Sequence, residues 1–226
     1  MNNEQFTGGD FYVEPAGPAC YETNIKRSRF TANVIPCADE DSAKERLKEL
    51  CAIHRQADHN CWAYVLGTGP LALNLFKHSS DAGEPSGTAG RPILGEITRS
   101  GLINLLVVVA RYFGGVKLGT RGLIEAYSTT AAKALALCPR AERARTRAVK
   151  VSFPYESMGG VAHLFSSAGN EGELQWDFSC RSGEGAHEAS AKVKVRANVR
   201  ISAFTGLVPK LDEMRDRKII SGYEIE

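Results

Sequence analysis

Apolar and polar positions repeat at two different periods along this chain, and the changes of period mark its elements. Residues 102–112 (LINLLVVVARY) are almost unbroken apolar sequence, rich in β-branched residues, which predicts a strand buried on both faces. CWAYVLG (61–67) and LALNLF (71–76) read as strands on either side of Gly67-Thr68-Gly69-Pro70, a hairpin signal. Residues 20–35 read as a strand pair or a bent strand with a basic middle, Lys26-Arg27-Ser28-Arg29. Helical spacing dominates 39–56, where acids crowd the start and Ala43, Leu47, Leu50 and Ile53 or His54 form a stripe. After a polar loop over 79–90, residues 91–100 predict a short helix, with Pro92 in its first turn and Gly101 as its stop. A longer helix follows over 122–138, with Leu123, Tyr127, Ala131 and Leu135 near one face.

Pro139 closes that helix, and residues 139–147 carry Arg140, Arg143, Arg145 and Arg147. This basic stretch reads as a solvated connector, with anion binding as the alternative, and it sets the expected boundary between domains at 1–140 and 147–226. The second part alternates as a strand over 147–155 and turns helical over 158–169, where Gly169 is the stop. It gives strands over 172–180 and 191–199 around a loop, a helix over 202–217 interrupted near Pro209, and a final strand. The order β-α-β-β-α-β is the split βαβ, or ferredoxin-like, plan. The expected class is therefore α+β in two domains.

Composition narrows the function. Of 226 residues, 43% are hydrophobic and 24% charged, ordinary values for a globular protein. The formal net charge is +2. The first 140 residues hold 15 basic and 14 acidic side chains, and the rest hold 13 and 12. Contact with nucleic acid would thus need a local patch, not a global field. No apolar run approaches the ~18 residues of a membrane span, and the polar, acidic N-terminus has no signal-peptide core. A cytoplasmic protein with no membrane partner is expected. The six cysteines include no C-x-x-C pair, which suggests reduced, mostly buried thiols.

Candidate chemistry gathers in two glycine-rich stretches. In ARYFGGVKLGTRGLIEA (110–126), Gly114 and Gly119 have the spacing of a nucleotide-binding P-loop, but Thr120 stands where the phosphate-neutralising lysine belongs. No G-x-G-x-x-G with a ribose-binding acid is present either, so no nucleotide cofactor is expected. A looser anion site survives. Gly87, Thr88 and Gly90 precede one helix and Gly119, Thr120 and Arg121 the other, and helix starts offer free N–H donors. Gly114 and Gly115 add flexible backbone, and Arg91, Arg111, Lys117 and Arg121 add charge. The plainer alternative is that the glycines only permit positive φ and close packing.

Asp81 and Glu84 are the low-ranked catalytic candidates, as acid/base or metal-binding carboxylates, although Asp, Gly, Pro and Ser are also ordinary turn residues. Cys51, His54, His59 and Cys61 fall within eleven residues, but C-x2-H-x4-H-x-C is not a common zinc spacing, and no metal is expected. His59, beside Asp58, is positioned to orient a loop, with a catalytic role as the lesser reading.

IKRSRF (25–30), HNCWAY (59–64), DAGEPSGTAGRPIL (81–94) and VVVARYFGGVKLGTRGLIEAY (107–127) together resemble the YigZ/IMPACT family. Within it, the chain resembles the two-domain bacterial members, the second domain by element order and position. The resemblance implies a ribosomal protein S5 domain 2-like fold for the first domain. For the second it implies a ferredoxin-like fold similar to the C-terminal domain of elongation factor G. Eukaryotic IMPACT members act in translational control by binding a regulator of a stress kinase; they lack the second domain, so that partner is not carried over. This chain departs from the family pattern at Ala82, where a second acid is usual, and at Arg121, where glycine is frequent.

The leading expectation is a non-catalytic binding protein linked to translation, contacting RNA or ribosomal surfaces through the glycine loops and their basic neighbours. The alternative is an enzyme acting on a small phosphorylated or carboxylated substrate with Asp81 and Glu84. A third is a protein-interaction module using the sheet face that carries Lys192, Lys194 and Arg196.

Overall fold

Residues 9–68, 74–178 and 192–226 are described by the structure, a computed structural model. The described residues divide into two compact units, Tyr12–Arg143 and Ala144–Glu226, the second also taking residues 9–11.

The first unit is built on a five-stranded antiparallel sheet. Its strands are β2 (Ala19–Ile25), β3 (Ser28–Pro36), β4 (His59–Thr68), β5 (Asn74–Ser80) and β6 (Leu105–Tyr112), in the spatial order β2-β3-β6-β4-β5. The apolar run forms the central β6, buried on both faces. On one face, Val107 and Val109 join Phe30, Ala32, Val34, Cys61 and Ala63 against α2 (Gly90–Ser100) and α3 (Gly119–Leu137). On the other, Leu106 and Val108 pack with Tyr64, Leu66 and the Ala43 and Leu50 stripe of α1 (Glu40–Ile53).

Local chemistry explains where the helices begin and end. Asp39 and Ser42 close a capping box on α1, the Ser42 N–H donating to Asp39 Oδ1 at 2.8 Å, and Glu40 and Asp41 suit its positive end. Gly101, at φ 72°, takes the left-handed position that ends α2.

The second unit holds β8 (Thr146–Pro154), α4 (Met158–Ser167), β9 (Gln175–Asp177), β10 (Lys192–Arg200), α5 (Phe204–Asp216) and β11 (Gly222–Ile225). Its sheet is antiparallel throughout, in the order β11-β8-β10-β9. Val149, Val151 and Phe153 meet Val193, Val195, Val199 and the apolar sides of α4 and α5. The alternate β10 residues Lys192, Lys194 and Arg196 are exposed. Arg196 pairs with Glu226, which Lys150 also contacts.

Several elements differ from their sequence-based expectations. Residues 139–147 are not a solvated connector. Arg140–Ala144 form β7, which pairs with β1 (Phe11–Pro15). Each arginine is engaged: Arg143 pairs with Glu14 at 2.8 Å, Arg140 donates to the Ser100 carbonyl, Arg145 to Gly9 O, and Arg147 to Glu226 O. The helix expected from Gly122 begins at Gly119, so residues 119–122 are its first turn and not a loop before it. Of the strand expected over 71–76, residues 71–73 lie outside the described residues; β5 extends past Phe76 to Ser80, because an edge strand tolerates the polar Lys77-His78-Ser79-Ser80 opposite Trp62–Val65. The hairpin turn at Gly69-Pro70 and the loop over 181–190 lie outside the described residues.

Pro209 does not interrupt α5. The N–H it lacks would have bonded to Thr205, and both residues are exposed, so the missing bond falls on the solvent side of the helix, where its loss costs least. Among the described residues no helix is long and apolar enough to cross a membrane. Cys37, Cys61 and Cys138 are buried thiols and Cys20 is exposed; Cys180 lies outside the described residues.

Candidate functional site

One end of the five-stranded sheet collects every candidate residue of the first unit. There β3 begins at Ser28, β6 ends at Tyr112, β4 begins at His59 and β5 ends at Ser80, and α2 and α3 start from the loops between. The two glycine-rich stretches therefore meet at one edge of the fold.

The loop over 81–89 owns its anion. Asp81, directly after β5, accepts the N–H of Gly87 at 2.7 Å through Oδ2. Its Oδ1 accepts those of Ala89 and Gly90 at 2.9 and 2.8 Å. These are the free donors at the start of α2, and the carboxylate complements the positive end of that helix. Burial opposes ionisation of Asp81, but the three N–H donors and nearby Arg91 outweigh it and hold the acid below its usual range. Gly90 lets the helix start approach β5: a Cβ there would lie 2.8 Å from the Ser80 backbone. His59 braces the same loop, its Nδ1 3.0 Å from the Ala82 carbonyl, where Ala82 and Gly83 both have positive φ. The Gly87 and Gly90 donors offered to an outside anion are thus taken from within. Thr88, also buried, donates its hydroxyl to Pro85 O at 2.6 Å.

Glu84 is buried and joins the two stretches. Its Oε1 accepts from Arg111 Nη1 at 2.7 Å and from the Tyr127 hydroxyl at 2.8 Å. The side chains of Arg111 and Glu84 are only 7% and 3% exposed. Arg111 also reaches Ser28 Oγ at 3.5 Å and lies against the rings of Phe30 and Phe113. The Cys61 thiol sits 2.9 Å from Asp81 O and 3.3 Å from the Tyr127 oxygen. Burial pushes this thiol up to about 12 and raises the Tyr127 hydroxyl as well. Both carboxylates considered for acid/base or metal chemistry are spent on the protein's own donors. Arg111 is a buried partner, not an exposed cation. Among the described residues, no three His, Cys, Asp or Glu side chains are grouped to hold a metal.

The exposed chemistry lies beside this network. The β2–β3 turn consists of Lys26 and Arg27, both at positive φ (45° and 70°), the conformation that favours Asn or Gly in a two-residue hairpin. Gly114 packs directly on it: a Cβ at 114 would lie 1.9 Å from the Arg27 carbonyl oxygen. The Gly114 N–H reaches Ser28 Oγ at 3.3 Å, and the Phe113 N–H donates to Asp58 Oδ2 at 2.7 Å. Lys26, Arg27, Gly115, Lys117, Gly119, Thr120 and Arg121 are exposed, and Phe113 is 46% exposed. Arg29 covers the Tyr112 ring at 4.1 Å. Among the described residues, Lys26, Arg27, Lys117 and Arg121 have no acidic partner.

Sequence reasoning placed Lys117 and Arg121 in the site and noted the basic Lys26-Arg27-Ser28-Arg29 middle of residues 20–35, but left Lys26, Arg27, Ser28, Phe113 and Tyr127 out of the site. Lys-Arg carries no turn signal, and Tyr127 reads only as part of a helical stripe.

The Impact N-terminal domain family model matches residues 26–135, a span that contains the whole of this site. An IMPACT family member from Thermus thermophilus, described as lying in the pol 5' region, is 42% identical over 151 residues. The match covers 66% of this chain and 78% of that protein. The Bacillus subtilis (strain 168) member YvyE is 36% identical over 151 residues, 67% of each chain. The Escherichia coli (strain K12) member YigZ is 33% identical over 153 residues, covering 68% of this chain and 74% of its own. A solved structure described as a hypothetical protein is similar at TM-score 0.62 and 25% identity, over 96% of this chain and 97% of that one. On the extent and identity of these matches, the chain belongs to the IMPACT family.

Proposed function

We propose that the chain is a non-catalytic regulatory protein linked to translation, and that its first unit binds RNA through the sheet end formed by the Lys26-Arg27 turn, the 113–118 loop and the first turn of α3. One observation carries this reading. The acids at this end, Asp58, Asp81 and Glu84, are engaged by the protein's own donors, whereas Lys26, Arg27, Lys117 and Arg121 are exposed without acidic partners among the described residues. The net field there is positive although the unit as a whole is nearly neutral, and a positive patch is the footprint of phosphate contact. Arg91 and Arg29 extend it. The site residues expected from sequence thus divide: Asp81, Glu84, His59 and Arg111 build the scaffold, and Lys117 and Arg121 join the turn cations as the binding face.

The domain folds support the same reading. The antiparallel order β11-β8-β10-β9 with β-α-β-β-α-β connectivity supports a ferredoxin-like second domain resembling that of elongation factor G. Three helices on a five-stranded sheet support an S5 domain 2-like first domain, with domains near 1–140 and 147–226. A ribosomal surface is the natural RNA-rich partner for such a pair.

The test is fluorescence anisotropy with a labelled oligoribonucleotide across a salt series. Binding is expected to weaken steeply with salt. A Lys26→Ala/Arg27→Ala/Lys117→Ala/Arg121→Ala variant should lose it and flatten the slope by about 0.7 per phosphate contact removed. Wild-type binding no better than an inert control at low salt overturns the reading.

A further inference from the structure

Phe113 is an exposed aromatic ring held in place at the same end of the sheet as Lys26, Arg27, Lys117 and Arg121. Its backbone N–H is fixed by Asp58 Oδ2 at 2.7 Å, and the next N–H, of Gly114, by Ser28 Oγ at 3.3 Å. The Arg111 guanidinium, itself buried and paired with Glu84, lies 5.4 Å from the ring centroid. Nearly half of the Phe113 surface is nonetheless open to solvent. The ring sits at the end of β6, one residue past Tyr112, in the loop that packs on the Arg27 backbone.

A purely structural phenylalanine would turn into the core below it, where Phe30 is fully buried. The Arg111 guanidinium lies over this ring on its protein side, and the loop that carries the ring packs on the Lys26-Arg27 turn and continues through Lys117 to Arg121. That combination suits an unstacked base with its phosphates alongside. Base–aromatic stacking needs a free π-face, and single strands present such faces whereas the stacked interior of a duplex does not.

We infer that Phe113 is a base-stacking platform and that the RNA taken by this site is single-stranded, with Lys26, Arg27, Lys117 and Arg121 holding the flanking phosphates. This rests on the RNA-binding reading above and specifies the form of RNA. Recognition would be tolerant of base identity, because every base offers a π-face. Stacking and phosphate contact also make separable contributions. Loss of the ring weakens binding at all salt concentrations, whereas loss of a cation changes the salt slope.

The experiment compares a single-stranded oligoribonucleotide with a duplex of the same length by anisotropy, using wild type and the Phe113→Leu, Phe113→Tyr and Phe113→Trp variants. Single-strand binding is expected to exceed duplex binding. Phe113→Leu should weaken it by about tenfold with an unchanged salt slope, and Phe113→Tyr and Phe113→Trp should restore it. The restored variants also exclude a folding defect as the cause of the loss. Equal single-strand and duplex affinities, or a Phe113→Leu variant that binds like wild type, overturn the inference and leave the RNA-binding reading standing. Absence of all binding at low salt removes both.

Discussion

Removing the Glu84 carboxylate tests the buried network most directly. In Glu84→Ala the Arg111 guanidinium, 7% exposed, is left in the interior without its counter-charge. Breaking one half of a buried pair costs about 3–5 kcal/mol. The Tyr127 hydroxyl, which donates to the same oxygen at 2.8 Å, also loses its acceptor, adding about 1–2 kcal/mol. A total of about 4–7 kcal/mol rivals the whole stability of many domains, so the first unit should be unfolded or close to it.

Urea denaturation followed by tryptophan fluorescence reads this cleanly. Trp62 lies in the first unit and Trp176 in the second. A Trp176→Phe background therefore isolates the unit of interest. The Arg111 Nε–H has no acceptor among the described residues, so the pair itself is imperfectly satisfied. Glu84→Leu/Arg111→Met should accordingly lose much less than Glu84→Ala alone, since an apolar replacement of a buried pair is often neutral. A Glu84→Ala loss below about 1 kcal/mol, or a double variant worse than the single, would refute the reasoning.

Two further outcomes follow from the site. The acidity of Asp81 is enhanced in the folded state, so its contribution is fully present above the ordinary aspartate value of about 3.9. It disappears as pH falls through the lower folded value; Asp81→Asn should be less stable at neutral pH and lose part of the acid dependence in pH-dependent thermal melts, and an unchanged profile would count against the cap. Gly114→Ala should destabilise the first unit by about 1–3 kcal/mol, because the added methyl would occupy the place of the Arg27 carbonyl; wild-type stability by urea denaturation would show that the turn and loop are not in backbone contact.

Sequence legibility followed the range of the interactions. The α1 start was legible because Asp39, Ser42 and the acids act within one turn. The Gly101 stop and the doubly buried β6 were legible for the same local reasons. β7 was not, because its partner β1 and the Glu14 acceptor of Arg143 lie about 129 residues away, and a run of arginines resembles a solvated segment until those partners are in view. Glu84 looked like a turn acid because its ligands Arg111 and Tyr127 stand 27 and 43 residues further on. The glycine loop before α2 reads from sequence as either an anion cradle or a packing turn, and neither reading reveals that the carboxylate taking its N–H donors, Asp81, lies inside the same motif. Backbone geometry at Lys26-Arg27 was invisible, since neither residue favours positive φ.

The self-liganded loop changes what the DAGEPSGTAG stretch (81–90) signifies. Asp81, Glu84 and Gly90 each answer to a demand of the architecture: a carboxylate for three amides, a counter-charge for a buried guanidinium, and room against a strand. A motif written by such demands remains recognisable in any chain that keeps the architecture, whatever that chain binds. It is a mark of kinship in build. Differences of partner between such chains should be sought outside it, in the exposed turn and loop where side chains can change without disturbing the frame.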